Sequence, residues 1–381
     1  MKTNSRIVWQ LSIMIFLSII TQGILLIRSS VLASNFGVST EMDAYNFANS
    51  VAVFIYSFIG AGITTILIPN LLDKEKRSGI NIFLTILYSI SFIIFLLMMV
   101  FKNYITIFYH GANKTYFLNV FSKFITISLF TQFINSFVGF TDAVLQINNK
   151  FNIQKTINLV LSSLLVAIIL IYSEFTLYTY AILLLLSTIL NLFMQLLVVK
   201  SLNFKFKLNF NIFNSNFRGM FKSYIPIVLS TGVYQLSLLI NTAISSKLGP
   251  GKVSLLNFSS NIIVMINLLI LGNIATFLYP RLARYVKKEK SDEKVFEYII
   301  LLNGLMLLIT LLIITLGRCG IEIIYQRGNF IASYTDVVYK CLLIFSISLP
   351  LNAIRDLFYR FLYLKDNTLI PFRNSIVVST I

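Results

Sequence analysis

Charged and amide side chains inside apolar stretches are the residues of this sequence that could do chemistry. Arg28 and Asp43 lie near the two ends of the stretch Ile27–Ala44, and Gln22 lies in the apolar run before it. An unpaired charge in hydrocarbon costs at least a few kcal/mol, so a charge found there suggests a functional site. Arg28 either binds an anion through its planar fork of donors or extends to the membrane surface. Asp43 either pairs with Arg28, neutralises the N-terminal end of its own helix or takes part in coupling.

Two further groups of polar side chains lie in later apolar stretches. Asn257 and Asn261 form either hydrogen bonds between helices, worth about 0.6 kcal/mol each, or contacts to a ligand. Arg355, Asp356 and Arg360 lie near the end of the last long apolar run, where they form either an interfacial cluster or a ligand site.

Glycine and proline interrupt two of the apolar stretches. Gly60 and Gly62 break one of them, and Pro226 and Gly232 break another. Broken helices at corresponding places in two halves are typical of the moving parts of transporters. We therefore expect Gly60 and Gly62, together with Asp43, to take part in gating or coupling.

Enzyme chemistry has no support in the sequence. It contains no Walker A, G-x-S-x-G or H-E-x-x-H pattern, and the single His110 with Cys319 and Cys341 cannot supply a metal cluster. We expect no catalytic residue, no metal and no cofactor. Any movement of a substrate would then depend on an ion gradient, the membrane potential or the gradient of the substrate itself.

The composition predicts that a membrane surrounds these residues. Hydrophobic residues make up 57% of the 381 residues and charged residues 12%, whereas soluble domains carry about 25% charged residues. The net charge of +17 is scattered between apolar runs and forms no basic stripe with interleaved aromatics, which argues against nucleic acid as a partner. The sequence therefore predicts an all-α, polytopic transmembrane bundle.

Apolar windows of about 20 residues, long enough to cross the hydrocarbon as helices, predict ten membrane spans. The predicted spans are 8–30, 43–70, 80–101, 116–142, 153–173, 176–199, 223–246, 253–279, 297–317 and 336–363. An apolar fragment from Ser375 onward is too short to cross. Lysines and arginines concentrate in the loops on the side of the N-terminus, so we expect a cytoplasmic N-terminus.

The basic, Phe-rich segment 201–222 divides the chain. Its composition predicts a linker in the interface of the anionic cytoplasmic leaflet. We expect an N-terminal six-helix lobe at 1–200 and a partial C-terminal lobe at 223–381, which holds spans 7–10 and the start of an eleventh.

The stretch RSSVLASNFGVSTEMDAY at 28–45 resembles the opening of the MurJ (MviN) lipid II flippases of the MOP exporter superfamily. Four more stretches resemble the family in the same order: QLSLLINTAISSKLGPGKVSLLNFS at 235–259, LGNIATFLYPRLARY at 271–285, IIYQRGNFIASYTD at 323–336 and FLYLKDNTLIPF at 361–372. The resemblance covers nearly all of the chain. It implies two six-helix lobes in a bacterial cytoplasmic membrane that rock about a central cavity for a lipid-linked glycan diphosphate, with membrane lipids around them.

The resemblance also implies roles for single residues. Arg28 matches the second family arginine of the first helix, Asp43 the acidic residue that opens the second, and Ser254 a serine near the start of the eighth. Gln22 stands where the family has its first arginine, and Asn261 stands in place of the arginine of an Asp-Arg pair. The expected substrate-binding residues are Arg28, Gln22, Asp43, Ser254, Asn261 and Asn257.

These departures reduce the number of cations that could hold a diphosphate. The expected substrate is therefore a lipid II-like, undecaprenyl-diphosphate-linked precursor of the cell wall or of a polysaccharide. Two alternatives stay open. An efflux pump of the same superfamily for drugs or cations would have an acidic cavity, and a truncated, non-transporting remnant is suggested because the family continues for several more helices.

Overall fold

Thirteen α-helices and no strand make up the described part of the computed structural model, which is every residue except 1, 61, 103, 105–113, 173, 174, 203–205, 274–291, 366, 368 and 381. The helices are α1 (Lys2–Phe36), α2 (Thr40–Gly60), α3 (Ile63–Leu71), α4 (Arg77–Phe101), α5 (Lys114–Ile147), α6 (Phe151–Ile171), α7 (Leu177–Ser201), α8 (Ser215–Lys247), α9 (Lys252–Asn267), α10 (Asp292–Tyr325), α11 (Ala332–Ser346), α12 (Ser348–Leu364) and α13 (Leu369–Thr380). A 3₁₀ turn at Lys74–Lys76 precedes α4, and a π-helical turn at Leu268–Gly272 continues α9. His110 and most of the family-like stretch 271–285 lie outside the described residues.

The membrane spans agree with those predicted from the sequence. The described helices provide nine segments long and apolar enough to cross a membrane, one of which is α2 continued by α3. Helices α11 and α12, bent by 41° at their junction, make a tenth as one broken span. The prediction of an all-α, polytopic bundle with about ten spans is confirmed.

The start of α8 differs from the sequence-based expectation. Helix α8 begins at Ser215, inside the segment expected to be a linker, and Asn214 caps it by accepting a hydrogen bond from the backbone N–H of Phe217 at 3.1 Å. Phe217 and Met220 are buried, so this first part of the helix is held by packing as well as by its cap. The division into lobes stays a prediction, and we call α1–α7 the N-terminal half and α8–α13 the C-terminal half.

Helix α5 is the centre of packing in the N-terminal half, where it contacts α2, α3, α6 and α7. Phe47 of α2 packs against Phe117 and Phe121 of α5, with ring centroids 6.2 and 5.8 Å apart. In the C-terminal half, α8 packs on α13, α9 on α11, and α10 on both α11 and α12. The halves meet where α2 contacts α8 and α9, where α4 contacts α8 and where α1 contacts α10.

Large apolar side chains cover the outside of the bundle. Phe92, Ile93 and Leu96 on α4 and Leu308 and Leu312 on α10 are each about half exposed or more. An apolar surface of this extent is too large for a protein that meets only water, and in a spanning bundle lipid chains cover it.

The loops define two ends of the bundle. The outer end carries loops 37–39, 248–251 and 326–331, and the inner end carries loops 72–76 and 148–150 together with the described loop residues 202, 206–214, 365 and 367. The names follow the orientation expected from the lysines and arginines.

Candidate functional site

Asp43 joins the two halves at the outer end. Its Oδ2 accepts a hydrogen bond from the backbone N–H of Gly251 at 2.6 Å, and its Oδ1 accepts from the N–H of Ser254 at 2.8 Å and the hydroxyl of Ser254 at 2.6 Å. The side chain is buried, with 1% of Asp43 exposed. A carboxylate of α2 therefore neutralises the N-terminal end of α9, where free N–H groups concentrate positive charge.

Of the roles expected for Asp43, the ion pair with Arg28 is absent among the described residues, whereas its place in the first turn of α2 agrees with a charge at the N-terminal end of its own helix. The ion pairs among the described residues involve Arg318 and Arg355 rather than Arg28. The N-cap position of α9 is Gly251, in the left-handed region at φ +82°, which has no side chain to cap the helix. The cap comes instead from Asp43 on the other half of the molecule.

A second set of bonds reinforces this junction. The backbone N–H of Asn329 donates to the carbonyl of Ser34 at 2.9 Å, and the Asn329 side-chain amide donates to the carbonyl of Asn35 at 2.7 Å. We call the bonds of Ser34, Asn35 and Asp43 with Gly251, Ser254 and Asn329 the outer clasp. Ser254 and Asp43, both expected from the sequence, are brought together here.

The junction of α2 and α3, where the sequence predicts an interruption at Gly60 and Gly62, is joined to the other half through Tyr224. The hydroxyl of Tyr224, on α8, lies 3.1 Å from the carbonyl oxygen of Phe58 and 2.8 Å from that of Ile59. A helix end frees carbonyl groups that need donors inside a membrane, and Tyr224 supplies one. A Cβ atom on Gly62 would lie 2.6 Å from the Tyr224 ring, whereas Gly60 has open space around it. Of these two glycines, Gly62 is the one required for close contact.

Arg28 lies on the interior face of α1. It follows Thr21 by seven residues and precedes Leu32 by four, which puts all three on one side of the helix. Thr21 and Leu32 are buried, while Phe16 and Ile19 on another face are more than half exposed. The guanidinium is close enough to Tyr45 on α2 for an electrostatic interaction. It makes no ion pair with the carboxylates of the described residues, so its charge within the bundle is not neutralised by them.

The remaining expected residues lie on α1 and α9. Gln22 is buried with 9% exposed, and its Oε1 has no hydrogen-bond partner among the described residues. The Asn261 amide donates to Asn257 Oδ1 at 2.9 Å, a bond within α9 rather than between helices. Counted along their helices from the outer end, Arg28 is about 12 Å deep and Asn261 about 14 Å deep at 1.5 Å per residue.

A polar pocket of about 270 Å³, which we call the inner pocket, lies between α3, α8, α12 and α13. Its polar lining residues are Thr65, Ser230, Thr231, Tyr234, Arg355, Asp356, Tyr359, Arg360, Tyr363 and Ser375. The sequence singled out the two arginines and Asp356 as a group but gave no sign that α3 and α8 complete a pocket around them. The hydroxyl residues on four separate segments have no shared sequence pattern, so only their position in the fold reveals the site.

Comparison with known proteins adds a family to this geometry. The family model described as lipid II flippase MurJ matches residues 32–381. The probable lipid II flippase MurJ of Rickettsia prowazekii is 24% identical over 387 aligned residues, which cover 97% of this chain and 76% of that protein. A second relative, the probable lipid II flippase MurJ of Buchnera aphidicola, is also 24% identical. That alignment covers 82% of this chain and 63% of the relative.

Solved structures show the same fold. A lipid II flippase MurJ in an inward closed conformation superimposes with a TM-score of 0.73 at 19% identity, over 96% of this chain and 78% of that one. A MATE transporter of Vibrio cholerae in the bent form gives a TM-score of 0.66 at 16% identity, over 99% of this chain and 88% of that one. A MOP-superfamily transporter of Pyrococcus furiosus gives a TM-score of 0.68 at 14% identity, over 96% of this chain and 84% of that one. The likeness inferred from the motifs is therefore confirmed at the level of family and fold.

Proposed function

Because the chain belongs to the lipid II flippase MurJ family, we propose that it carries a lipid II-like, undecaprenyl-diphosphate-linked precursor of the cell wall or of a polysaccharide across the bacterial cytoplasmic membrane. The substrate moves by alternating access between the two halves. The N-terminus lies in the cytoplasm, in keeping with the distribution of lysines and arginines.

The observation that carries the proposal is the unneutralised guanidinium of Arg28. A cation at this depth, on the interior face of α1 and without a carboxylate partner among the described residues, favours an anion brought in by a ligand. A diphosphate meets this need, because its oxygens match the donor fork of arginine. Oε1 of Gln22, which has no partner among the described residues, lies on the same helix and is available to accept a hydrogen bond from a hydroxyl group of the substrate.

The outer clasp supplies the gate in this proposal. While its bonds hold, the outer ends of the two halves stay together and the substrate site has no path to the outside. Release outward requires Asp43 to leave the N-terminal end of α9. We therefore assign Asp43 and Ser254 to gating, and Arg28, Gln22, Asn257 and Asn261 to the substrate.

Precursor translocation in cells tests the proposal. The chain is expressed in bacteria depleted of their own lipid II flippase, and the fraction of precursor open to an added, membrane-impermeant enzyme is measured. We expect the chain to restore outer exposure of the precursor above an empty-vector control. No restoration by folded, membrane-inserted protein would refute the proposal, and export of cationic drugs by the same cells would favour an efflux pump instead.

A further inference from the structure

We propose that the inner pocket binds a phosphate group carried by a lipid of the inner leaflet. The site is separate from Arg28, since its cations come from α12 and its walls from α3, α8 and α13. The inference depends on the proposed function only if the lipid that carries the phosphate is the substrate itself, with its diphosphate. The other possible carrier is a phospholipid headgroup, and the bound chemistry is the same.

Charge is the first argument. Arg355 and Arg360 contribute two positive charges to the lining of the pocket and Asp356 one negative charge. Arg355 uses its Nε and Nη2 on the same oxygen of Asp356, at 3.3 and 3.1 Å, so its Nη1 donors remain for another acceptor. The ring of Tyr234 lies 5.1 Å from the Arg355 guanidinium carbon and holds the group in place.

Hydroxyl groups supply the second argument. Tyr359 accepts a hydrogen bond from the Asn374 amide at 2.6 Å, so its own proton is available for donation into the pocket. Ser230 and Ser375 lie 2.6 Å apart, and Ser230 also donates to the carbonyl oxygen of Pro371 at 3.5 Å, so these two hydroxyls are held by the protein and Tyr359 supplies the hydroxyl donor of the pocket. Guanidinium and hydroxyl donors that converge in one pocket form the set that binds phosphate oxygens.

Depth is the third argument. Along α12, Arg360 lies about 6 Å and Arg355 about 14 Å from the inner end of the helix at Leu364. The polar headgroup region of a bilayer extends about 5–7 Å beyond the hydrocarbon on each side. With Leu364 at the outer edge of the headgroup region, a lipid phosphate of the inner leaflet lies close to the level of Arg360, and Arg355 lies about 8 Å deeper in the membrane.

Binding to the full chain in nanodiscs of zwitterionic lipid tests the inference. The probes are undecaprenyl diphosphate, phosphatidylglycerol and inorganic phosphate. Their binding is compared between a double variant, Arg355→Gln together with Arg360→Gln, and a control variant, Arg373→Gln. Arg373 is exposed on α13 outside the pocket, so its loss removes one nearby charge without changing the lining. We expect the double variant to weaken binding by about tenfold or more and the control to have little effect.

The probes distinguish the carriers. A loss confined to undecaprenyl diphosphate identifies the pocket as a second subsite for the substrate, a loss confined to phosphatidylglycerol identifies it as a phospholipid site, and a loss for all three identifies the phosphate alone as sufficient. Equal binding by the double variant and the control overturns the inference. Precursor translocation is measured separately, so loss of pocket binding with intact translocation leaves the proposed function standing.

Asp356→Asn gives a test that does not depend on loss of folding. It removes the carboxylate that competes for Arg355, so phosphate should bind more tightly than in the unaltered chain. Weaker or unchanged binding in Asp356→Asn would contradict the inference.

Discussion

Arg28 responds differently to substitution if it is a ligand than if it is a structural cation. Hydrogen bonds to charged groups contribute about 1.5–3 kcal/mol, and 1.4 kcal/mol is tenfold in an equilibrium constant. We expect Arg28→Ala to lower precursor translocation per folded molecule by at least about tenfold. Arg28→Lys should restore only part of it, because an ammonium is a point charge rather than a fork.

The control for Arg28 is Arg318→Ala. Arg318 is an exposed arginine whose partners are Glu322 at 2.9 Å and Asp336 at 3.0 Å, so its removal should leave translocation unchanged. Full activity in Arg28→Ala would refute the ligand role. An equal loss in both variants would point to a general effect of charge.

Asp43 is expected to hold the outer clasp shut through its charge. In Asp43→Asn one oxygen becomes an NH₂ group that faces an N–H donor of α9, so at least one bond is lost and the helix end is no longer neutralised. We expect the outer ends to separate in a larger share of molecules. The measurement is the distance distribution between spin labels at Asn35 and Lys247 in a background without native cysteines.

Glu41→Gln is the matched control for Asp43→Asn. Glu41 lies on the same helix and accepts a hydrogen bond at 2.6 Å from Tyr116 of its own half, so it takes no part in the clasp. An identical distance distribution in Asp43→Asn and the unaltered chain would show that the clasp does not depend on this charge.

Sequence reasoning identified Asp43 and Ser254 but not their contact. Asp43 is a charged residue near the start of a predicted helix, and both features can be recognised in the sequence. The missing N-cap of α9 is visible too, as Gly251, but nothing in the sequence states that an aspartate more than two hundred positions earlier lies against it. Contacts between distant segments depend on the packing of the whole bundle, and a single sequence does not encode them in any local pattern.

At the scale of helices, the junction of α2 with α8 depends on Gly62. A methyl group there would meet the Tyr224 ring at 2.6 Å, whereas one on Gly60 meets nothing within 4 Å. We expect Gly62→Ala to destabilise the fold by about 1–3 kcal/mol through overpacking, and Gly60→Ala to be neutral or slightly stabilising. Thermal unfolding of both variants in the same detergent measures the difference, and equal melting temperatures would contradict the packing role of Gly62.

The helices themselves were largely predictable, since apolar runs of the length of a bilayer have one stable conformation in lipid. Their ends were less so. Helix α8 begins at Ser215 because Asn214 caps it and Phe217 and Met220 are buried. In the sequence, the same residues belong to a basic, Phe-rich segment that is equally typical of an interfacial linker.

At the scale of the whole molecule, the orientation in the membrane is a prediction that labelling can decide. Arg327 lies in an exposed loop of the outer end and Lys150 in an exposed loop of the inner end. With Cys319 and Cys341 replaced by serine, a cysteine at Arg327 should react with a membrane-impermeant thiol reagent in intact cells. A cysteine at Lys150 should react only after the cells are permeabilised, and the reverse pattern would place the N-terminus outside.

The position of the outer clasp affects how fast the bundle can open. Asp43 and Ser254 are buried while the bonds hold, but they lie beside loops at the end of the bundle, so water can replace each partner once the ends separate. The same bonds at the middle of the bilayer would leave each group without a partner, at several kcal/mol apiece. Hydration of a few polar groups at the surface, rather than rearrangement of lipid or core, would then set the time for which the outer end remains shut.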